Sequence, residues 1–211
     1  MLDNEVIKYL QNQLQFPSNS IKKLKIFINE LINANKKHNF ISKSTEAVIW
    51  HRHILDSAQL VKFIDFSKGS LSDLGSGAGF PGLVLAIFCE NKDFHVKLYE
   101  KSPVKRDFLR KISKKLSVKV EIKGNVYDET VDTDYVVSRA FKKFESIIQV
   151  SREIVKRPHK LIVLKGQNAQ EDLKKAFKRK KYPYKLKDSI TNENSKIIIV
   201  DLKNDDNNFS D

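Results

Sequence analysis

The 211-residue sequence is poor in cysteine, methionine and tryptophan, with one residue of each type. Because its single cysteine, Cys89, cannot form a disulfide within the chain, the sequence predicts a protein of the reducing cytoplasm. The first residues, Met1 to Val6, lack the basic start and the apolar core of a secretory signal peptide. No apolar run approaches the ~18 residues that would span a bilayer. We therefore expect a folded cytoplasmic protein without a membrane segment.

Acidic residues are few relative to basic ones. The sequence has 26 Asp and Glu against 39 Lys and Arg, which gives a formal net charge of +13. Such a surplus attracts polyanions and makes their binding salt-dependent, so it favours nucleic acid as a partner. A coding bias towards lysine, asparagine and isoleucine would explain the same composition without a partner. An anionic membrane is disfavoured, because no strongly amphipathic basic segment carries large exposed aromatic residues.

Glycine is also scarce, and four of the seven glycines lie between Gly75 and Gly82, within the stretch LSDLGSGAGFPGLVLAI. A short apolar strand ending at Leu74 and a helix-compatible run from Leu83 flank them, which predicts a strand-to-helix turn. Pro81 is expected near the first helical position, where its missing N–H has no cost. Such a loop presents free N–H groups and the positive end of a helix dipole, and so favours a polar or anionic small molecule. The alternative is that the glycines serve only a tight turn and close helix packing.

The remaining pattern predicts an α/β fold with a helical extension at its N-terminus. The first part of the chain contains only helical patterns, and strands then alternate with helices. This alternation predicts a mostly parallel sheet with helices on both faces. The last two strands, at 184–190 and 196–202, have no helix between them and predict an antiparallel hairpin. We divide the chain into an extension at 1–66, a core at 67–203 and a polar tail at 204–211 that we expect to be disordered.

Individual elements follow from the same patterns. Predicted helices cover Asp3 to Leu14 and begin near Ser18, after Thr45, at Pro81, at Pro103 and near Phe144. Predicted strands before the hairpin cover residues 71–74, 94–99, 118–122, 135–138 and 161–164.

The glycine pattern fits two cofactor classes. Gly77-x-Gly79-x-x-Gly82 satisfies the dinucleotide fingerprint, and Glu100 follows about twenty residues later, where a carboxylate can accept hydrogen bonds from ribose hydroxyls. Asp73 extends the pattern to Asp-x-Gly-x-Gly-x-Gly, which resembles motif I of the class I S-adenosylmethionine-dependent methyltransferases. In that family the glycine-rich backbone approaches the cofactor and the acid helps to hold its cationic amino end. A terminal hairpin also suits this class better than a standard dinucleotide fold.

Longer segments narrow the resemblance to one family. In chain order they are HNFISKS, HILDSAQL, DLGSGAGFPGLVLAI, YEKSPVKRDFLR, DYVVSRAF and LIVLKGQ. Within roughly residues 39 to 203 they resemble the bacterial small-subunit rRNA guanine-N7 methyltransferases of the RsmG type, also called GidB. The resemblance implies a Rossmann-like class I methyltransferase fold, S-adenosylmethionine as cofactor, and 16S rRNA or the small ribosomal subunit as substrate.

Carried over by position, the resemblance implies cofactor contacts by the loop and by the acid after the second strand. These residues are Asp73, Gly75, Gly77, Phe80 and Glu100.

The adenine side of the cofactor is expected at Val126 and Tyr127, after the third core strand. Relatives usually have a small apolar residue and an acid there, whereas this sequence has Tyr127 with Asp128 next to it. Each position from 125 to 128 therefore stays open as the adenine contact.

Two basic residues follow the next two strands. Arg139, in VSRAF, matches a family residue at the edge between cofactor and substrate, where an arginine can bind a phosphate or hold a flipped base. We expect it to be the catalytic residue, the alternative being a salt bridge to a loop acid. Lys165 lies on the same rim and is expected to bind RNA phosphate, with plain solvation as the alternative.

Two neighbouring histidines, His51 and His53, have other possible roles. His53 and Asp56 share a helical face, so they either close the pocket or pair for structure. A metal site at His51 and His53 is not expected, because no third ligand has sensible spacing.

The residue inventory also limits the chemistry. Ser138-Arg139-Ala140-Phe141 replaces the Asn/Asp-Pro-Pro-aromatic motif of many amine methyltransferases, and Cys89 is not placed to act as the nucleophile that pyrimidine-C5 enzymes need. Guanine N7 carries an in-plane lone pair, so its methylation needs no general base. The resemblance therefore predicts in-line transfer to N7, and we expect the protein to act as a monomer. Two alternatives stay open: an NAD-dependent oxidoreductase using the same loop, and a non-catalytic RNA-binding relic of the fold.

Overall fold

The computed structural model describes residues 1–139, 143–178 and 181–203. The tail at 204–211, and Ala140 and Phe141 of the VSRAF segment, lie outside the described residues.

Two helices open the chain. α1 spans Asp3–Gln13 and α2 spans Ser18–Asn35, as their apolar spacing predicts. Leu24, Phe27 and Leu31 recur on one side of α2 and are buried, so this helix packs through a single apolar stripe.

The helix predicted after Thr45 is divided into short pieces of different geometry. These are α3 at Lys43–Glu46, a π-helix at Trp50–Leu55, α4 at Asp56–Ala58 and a 3-10 helix at Gln59–Phe63. Single π-helical turns are rare and frequently mark functional sites. The amphipathic pattern predicts helix here, but it does not distinguish these helix types.

The core alternates strands and helices. The strands are β1 at Gly69–Leu74, β2 at Phe94–Tyr99, β3 at Glu121–Lys123, β4 at Tyr135–Arg139, β5 at His159–Lys165, β6 at Tyr184–Asp188 and β7 at Lys196–Leu202. The helices are α5 at Gly82–Phe88, α6 at Pro103–Leu116, α7 at Phe144–Ile154 and α8 at Ala169–Ala176. A 3-10 turn at Val126–Asp128 follows β3.

Within the described residues the strands form one seven-stranded sheet in the order β3-β2-β1-β4-β5-β7-β6. β1 to β5 pair in parallel, whereas β7 is antiparallel to both β5 and β6. This confirms the predicted mostly parallel α/β sheet with an antiparallel hairpin at its end.

Three further details differ from the sequence-based expectation. The first strand of the hairpin, predicted at 184–190, ends at Asp188. The third strand begins at Glu121 rather than at Val118, because Ser117 ends α6 in the left-handed region and the Val118 N–H still bonds back to the Ser113 carbonyl. α8 was not predicted, since of its residues only Ala169 and Leu173 are buried and its apolar pattern is weak.

Apolar residues cover both faces of the sheet. One cluster joins strand residues such as Leu71 and Ile162 to α5, α6 and the N-terminal helices, and the other joins Leu161 to α7 and α8. Phe27 of α2 lies between Phe80 and Phe108, with ring centroids 5.3 and 6.4 Å away. The extension thus shares the core of the sheet. The domain boundary at residue 66 stays a prediction.

No helix in the described ranges has both the length and the apolar character needed to cross a bilayer.

The packing around Gly82 yields a stability prediction. A Cβ at this position would lie 2.4 Å from Leu98 Cδ2 and 2.6 Å from Asp73 Oδ2. We expect Gly82→Ala to lower the free energy of unfolding by about 1–3 kcal/mol, as overpacking does, although alanine has the higher helix propensity. Urea denaturation measures this change. The matched control is Gly124→Ala, where a Cβ meets no atom within 4 Å; an equal loss in both variants would contradict the steric explanation.

Candidate active site

The glycine-rich loop lies where the strand order of the sheet reverses. β2 and β3 extend from one side of β1, and β4 and β5 extend from the other. Crevices at the carboxyl ends of such strands are the usual ligand sites of open α/β sheets. The carboxyl ends of β1, β2 and β4 carry Leu74, Tyr99 and Arg139, so the predicted site residues lie along one edge.

The turn after β1 depends on glycine. The N–H groups of Gly75 and Ser76 both donate to the Tyr99 carbonyl, at 2.9 and 3.0 Å. Gly75 and Gly77 have φ of 76° and 57°, in the left-handed region that side chains disfavour. The nearest atom to a Cβ built at Gly77 would be the Gly75 oxygen, 3.9 Å away. A ligand can therefore approach this part of the backbone closely.

The Glu100 carboxylate connects the glycine loop to the start of α6 by two hydrogen bonds. Its Oε2 accepts a hydrogen bond from the Gly77 N–H at 2.9 Å, and its Oε1 accepts one from the Ser102 N–H at 2.7 Å. Each carboxylate oxygen can accept a second bond. Glu100 is buried, yet it keeps acceptor capacity for the hydroxyls of a ligand.

The Asp73 carboxylate lies beneath the same loop and is fully buried. Its Oδ2 accepts a hydrogen bond from the Gly82 N–H at 2.9 Å, whereas its Oδ1 has no partner among the described residues. Burial raises the pKa of Asp73 to about 7, and the bond from Gly82 opposes that rise. An orphaned buried carboxylate oxygen suits a nearby cation. When it is ionised, this acid beneath the loop would repel a pyrophosphate and attract a cationic ligand group.

The two positions expected on the adenine side differ in exposure. Val126 is 4% exposed and belongs to the apolar cluster that includes Leu74 and Tyr99, whereas Tyr127 is 48% exposed. The Asn125 side-chain amide donates to Asp128 Oδ1 at 3.0 Å within the same turn. The structure places all four positions on one short turn after β3 and does not select one of them.

Arg139 meets three groups of the N-terminal extension. Its Nη2 donates to His53 Nδ1 at 2.9 Å, its Nη1 donates to the Arg52 carbonyl at 3.3 Å, and its Nη1 lies 3.5 Å from Asp56 Oδ2. Its guanidinium carbon also lies 5.0 Å from the ring centroid of Phe80, in the glycine loop. The predicted cofactor loop and the predicted catalytic residue are therefore in contact.

His53 is held in one protonation state. Burial, with the neighbouring charge of Arg139, lowers the pKa of His53 to about 3, so the ring is neutral near pH 7. Since a guanidinium can only donate, Nδ1 is the acceptor and Nε2 carries the proton. That proton is donated to Thr45 Oγ1, 2.9 Å away. His53 thus pairs within the site through both ring nitrogens.

A cavity of about 450 Å³ opens beside these residues. Its lining includes cationic side chains from both parts of the chain, namely Arg52, Arg139, Lys165 and Lys196. Lys165 reaches it but is also paired with Asp172 of α8, with 2.6 Å between Nζ and Oδ2. The sequence did not identify Lys196, Thr45 or Ser189 as lining residues, because none belongs to a local motif.

No group of three or more His, Cys, Asp or Glu side chains that could hold a metal ion occurs within residues 1–139, 143–178 and 181–203.

Comparison with known proteins gives consistent matches. Residues 20–198 match the family described as GidB, rRNA small subunit methyltransferase G. The ribosomal RNA small subunit methyltransferase G of Pelagibacter ubique is 35% identical over 197 residues, which cover 90% of this chain and 92% of the relative. The protein of the same name from Rickettsia typhi is 36% identical over 188 residues, covering 89% and 96%.

Solved structures with the same fold are more distant in sequence. M. jannaschii TYW2 in complex with AdoMet has a TM-score of 0.52 and 18% identity, over 71% of this chain and 74% of that one. A mutant of MtNAS in complex with S-adenosylmethionine has a TM-score of 0.58 and 12% identity, over 86% and 75%. At these identities the likeness shows the class I methyltransferase fold alone.

The depressed pKa of His53 predicts a pH-dependent stability. In the unfolded chain His53 binds a proton below its ordinary pKa of 6.5, whereas in the folded chain it stays neutral down to about pH 3. The folded protein is therefore less stable at lower pH. Between pH 7.5 and 5.5 this linkage should cost about 1.4 kcal/mol. Chemical denaturation of the wild type and of His53→Gln at both pH values isolates the effect. An identical pH dependence in the two proteins would contradict it.

Proposed function

The chain belongs to the GidB family of rRNA small subunit methyltransferases, and from this membership we propose that it transfers a methyl group to N7 of a guanine in 16S rRNA. The family uses S-adenosylmethionine, which supplies an electrophilic methyl group on a sulfonium when it is bound. The proposal consists of three statements beyond the family membership. They concern the atom that is methylated, the residues that act and the absence of a general base.

We assign the cofactor side to the glycine loop and its two acids. The open backbone at Gly75 and Gly77 would lie against the ligand, and Phe80 would form an apolar wall. Asp73, with its orphaned oxygen, would face the cationic amino end, and Glu100 would accept from the ribose hydroxyls. This assignment explains why a carboxylate without a complete set of partners is buried under a loop.

The adenine side is assigned to the turn after β3. Val126 provides a buried apolar surface there, and the half-exposed ring of Tyr127 lies next to it in the chain. We propose that these two residues contact the adenine by packing, in place of the carboxylate that relatives usually supply.

The observation that carries the proposed reaction is the cavity beside Arg139, which is lined by four cationic side chains. It has the size of a small-molecule pocket, and Arg139 both lines it and contacts Phe80. We propose that a splayed-out guanine enters this cavity and that Arg139 contacts its base or phosphate, while Lys165 contacts a neighbouring phosphate.

Alignment is the main task that this site has to perform. The N7 lone pair lies in the plane of the base and needs no proton removed, so the residues around the cavity need only hold N7 in line with the methyl donor. Positioning of this kind can supply ~7–11 kcal/mol of the barrier. Arg139 does not act as a base, because a guanidinium remains protonated in proteins.

We also propose that the protein acts as a monomer in the cytoplasm. The alternative of an NAD-dependent oxidoreductase is disfavoured by the family membership and by the buried Asp73 under the loop. The alternative of an RNA-binding relic rests on Tyr127 standing in place of the usual acid.

Methyl transfer to rRNA from a strain that lacks the enzyme tests the proposal. The wild-type protein and labelled S-adenosylmethionine are incubated with naked 16S rRNA and, separately, with small subunits, and the labelled nucleotide is mapped. We expect label as 7-methylguanosine at one position. Label on another atom would overturn the N7 assignment, and no label on either substrate would favour the relic.

Replacing Arg139 tests its role. Arg139→Ala should lower the transfer rate by about 100-fold, since small misplacements of reacting groups have effects of that size. Thermal unfolding reports any effect on folding, and Arg110→Ala, at an exposed position on α6, is the matched control. Wild-type turnover by a folded Arg139→Ala protein would remove Arg139 from the site.

A further inference from the structure

The contacts of Arg139 form a directed chain of hydrogen bonds. Arg139 Nη2 donates to His53 Nδ1 at 2.9 Å, and His53 Nε2 donates to Thr45 Oγ1 at the same distance. The Thr45 hydroxyl then donates to the Ser42 carbonyl at 3.0 Å. Because arginine has no acceptor, Arg139 must donate to His53 Nδ1, and the proton of the neutral ring is then on Nε2, which donates to Thr45.

The ring of His53 also stacks on Phe80. The two ring centroids are 4.9 Å apart with an angle of 27° between the planes. The guanidinium of Arg139 lies over the same Phe80 ring. His53 therefore has two separable contacts, a hydrogen bond to Arg139 and an apolar contact with the glycine loop.

The local backbone explains how His53 reaches this position. It lies in the π-helix Trp50–Leu55, whose Arg52 carbonyl accepts a second bond from Arg139. Asp56 follows directly, but its Oδ2 is 3.5 Å from the guanidinium, and its Oδ1 is used by Gln59 and Thr191. Among the described contacts of Arg139, the bond to the neutral His53 is the shortest.

A neutral acceptor suits a guanidinium that has to bind an anion or a base. Arg139 already lies 3.5 Å from the Asp56 carboxylate, and a second carboxylate at the position of His53 would compensate still more of its charge, whereas a neutral imidazole orients the guanidinium without adding a negative charge. Arginine is otherwise a flexible side chain, and restraining it before the substrate arrives reduces the cost of binding.

We propose that His53 is a positioning residue that fixes the guanidinium of Arg139 beside Phe80 at the cavity. This inference rests on the proposed methyl transfer and deepens it, because it assigns a role in the reaction to the N-terminal extension.

Two substitutions separate the two contacts of His53. His53→Phe keeps a ring against Phe80 but removes the acceptor, whereas His53→Asn places an amide oxygen near the Nδ1 position but removes the ring. We expect His53→Phe to lower the single-turnover transfer rate by about 10–100-fold and His53→Asn to retain most of the rate. A purely structural role predicts the reverse order.

His53→Gln, which lacks the acceptor near Nδ1, should behave as His53→Phe and replaces it if that variant does not fold. His95→Phe, at an exposed position near the amino end of β2, is the matched control.

A double-mutant cycle tests whether His53 acts through Arg139. In an Arg139→Ala background, His53→Phe should change the rate by no more than about twofold, since the residue that it positions is absent. The same loss in both backgrounds would overturn the proposal, and so would equal losses in the Phe and Asn variants.

A readout without rRNA separates this inference from the proposed function. Side-chain NMR of Arg139 should show resolved Nη signals, from hindered rotation of the guanidinium, in the wild type and in His53→Asn, and averaged signals in His53→Phe. Unchanged signals in His53→Phe would overturn the positioning role, whatever the wild-type protein does to rRNA. If the wild-type protein shows the expected NMR pattern but does not methylate rRNA, the proposed function is overturned and the positioning role of His53 is not.

Discussion

The buried carboxylate of Asp73 is the constraint on which the rest of the site depends. It accepts the N–H of Gly82 at the start of α5, so the strand, the glycine loop and the following helix are joined beneath the ligand position. A second acid, Glu100, holds the top of the turn through the Gly77 N–H. Because Asp73 Oδ1 has no partner in the described structure, this arrangement is incomplete without a ligand. In the proposed binding mode the acid lies next to the cationic end of S-adenosylmethionine.

The N-terminal extension contacts the candidate site directly. Phe27 packs against Phe80 of the loop, and His53 and Arg52 contact Arg139 at the end of β4. One side of the cavity therefore comes from the extension and the other from the loops of the sheet. The cavity carries cationic side chains in a chain with a net charge of +13, which is consistent with the proposed binding of RNA phosphates.

Much of the fold could be predicted because the relevant signals are local. The apolar run at 94–99 indicates a buried strand, and the glycine cluster between Asp73 and Gly82 indicates a strand-to-helix turn; both have the predicted positions. The π-helix was not predicted, since an amphipathic pattern does not encode helix type. The contact between His53 and Arg139 joins residues 86 positions apart, and no periodicity carries that information. Most of the candidate residues could therefore be named from motifs, whereas their partners required the three-dimensional structure.

Calorimetric titration with S-adenosylmethionine and, separately, with NAD tests the central claim most directly. We expect the wild-type protein to bind S-adenosylmethionine and the Gly75→Asp variant not to bind it. In that variant an L-residue would have to adopt a φ of 76°, and a third carboxylate would enter the loop. Binding of NAD without binding of S-adenosylmethionine, or unchanged S-adenosylmethionine affinity in a folded Gly75→Asp protein, would contradict the account.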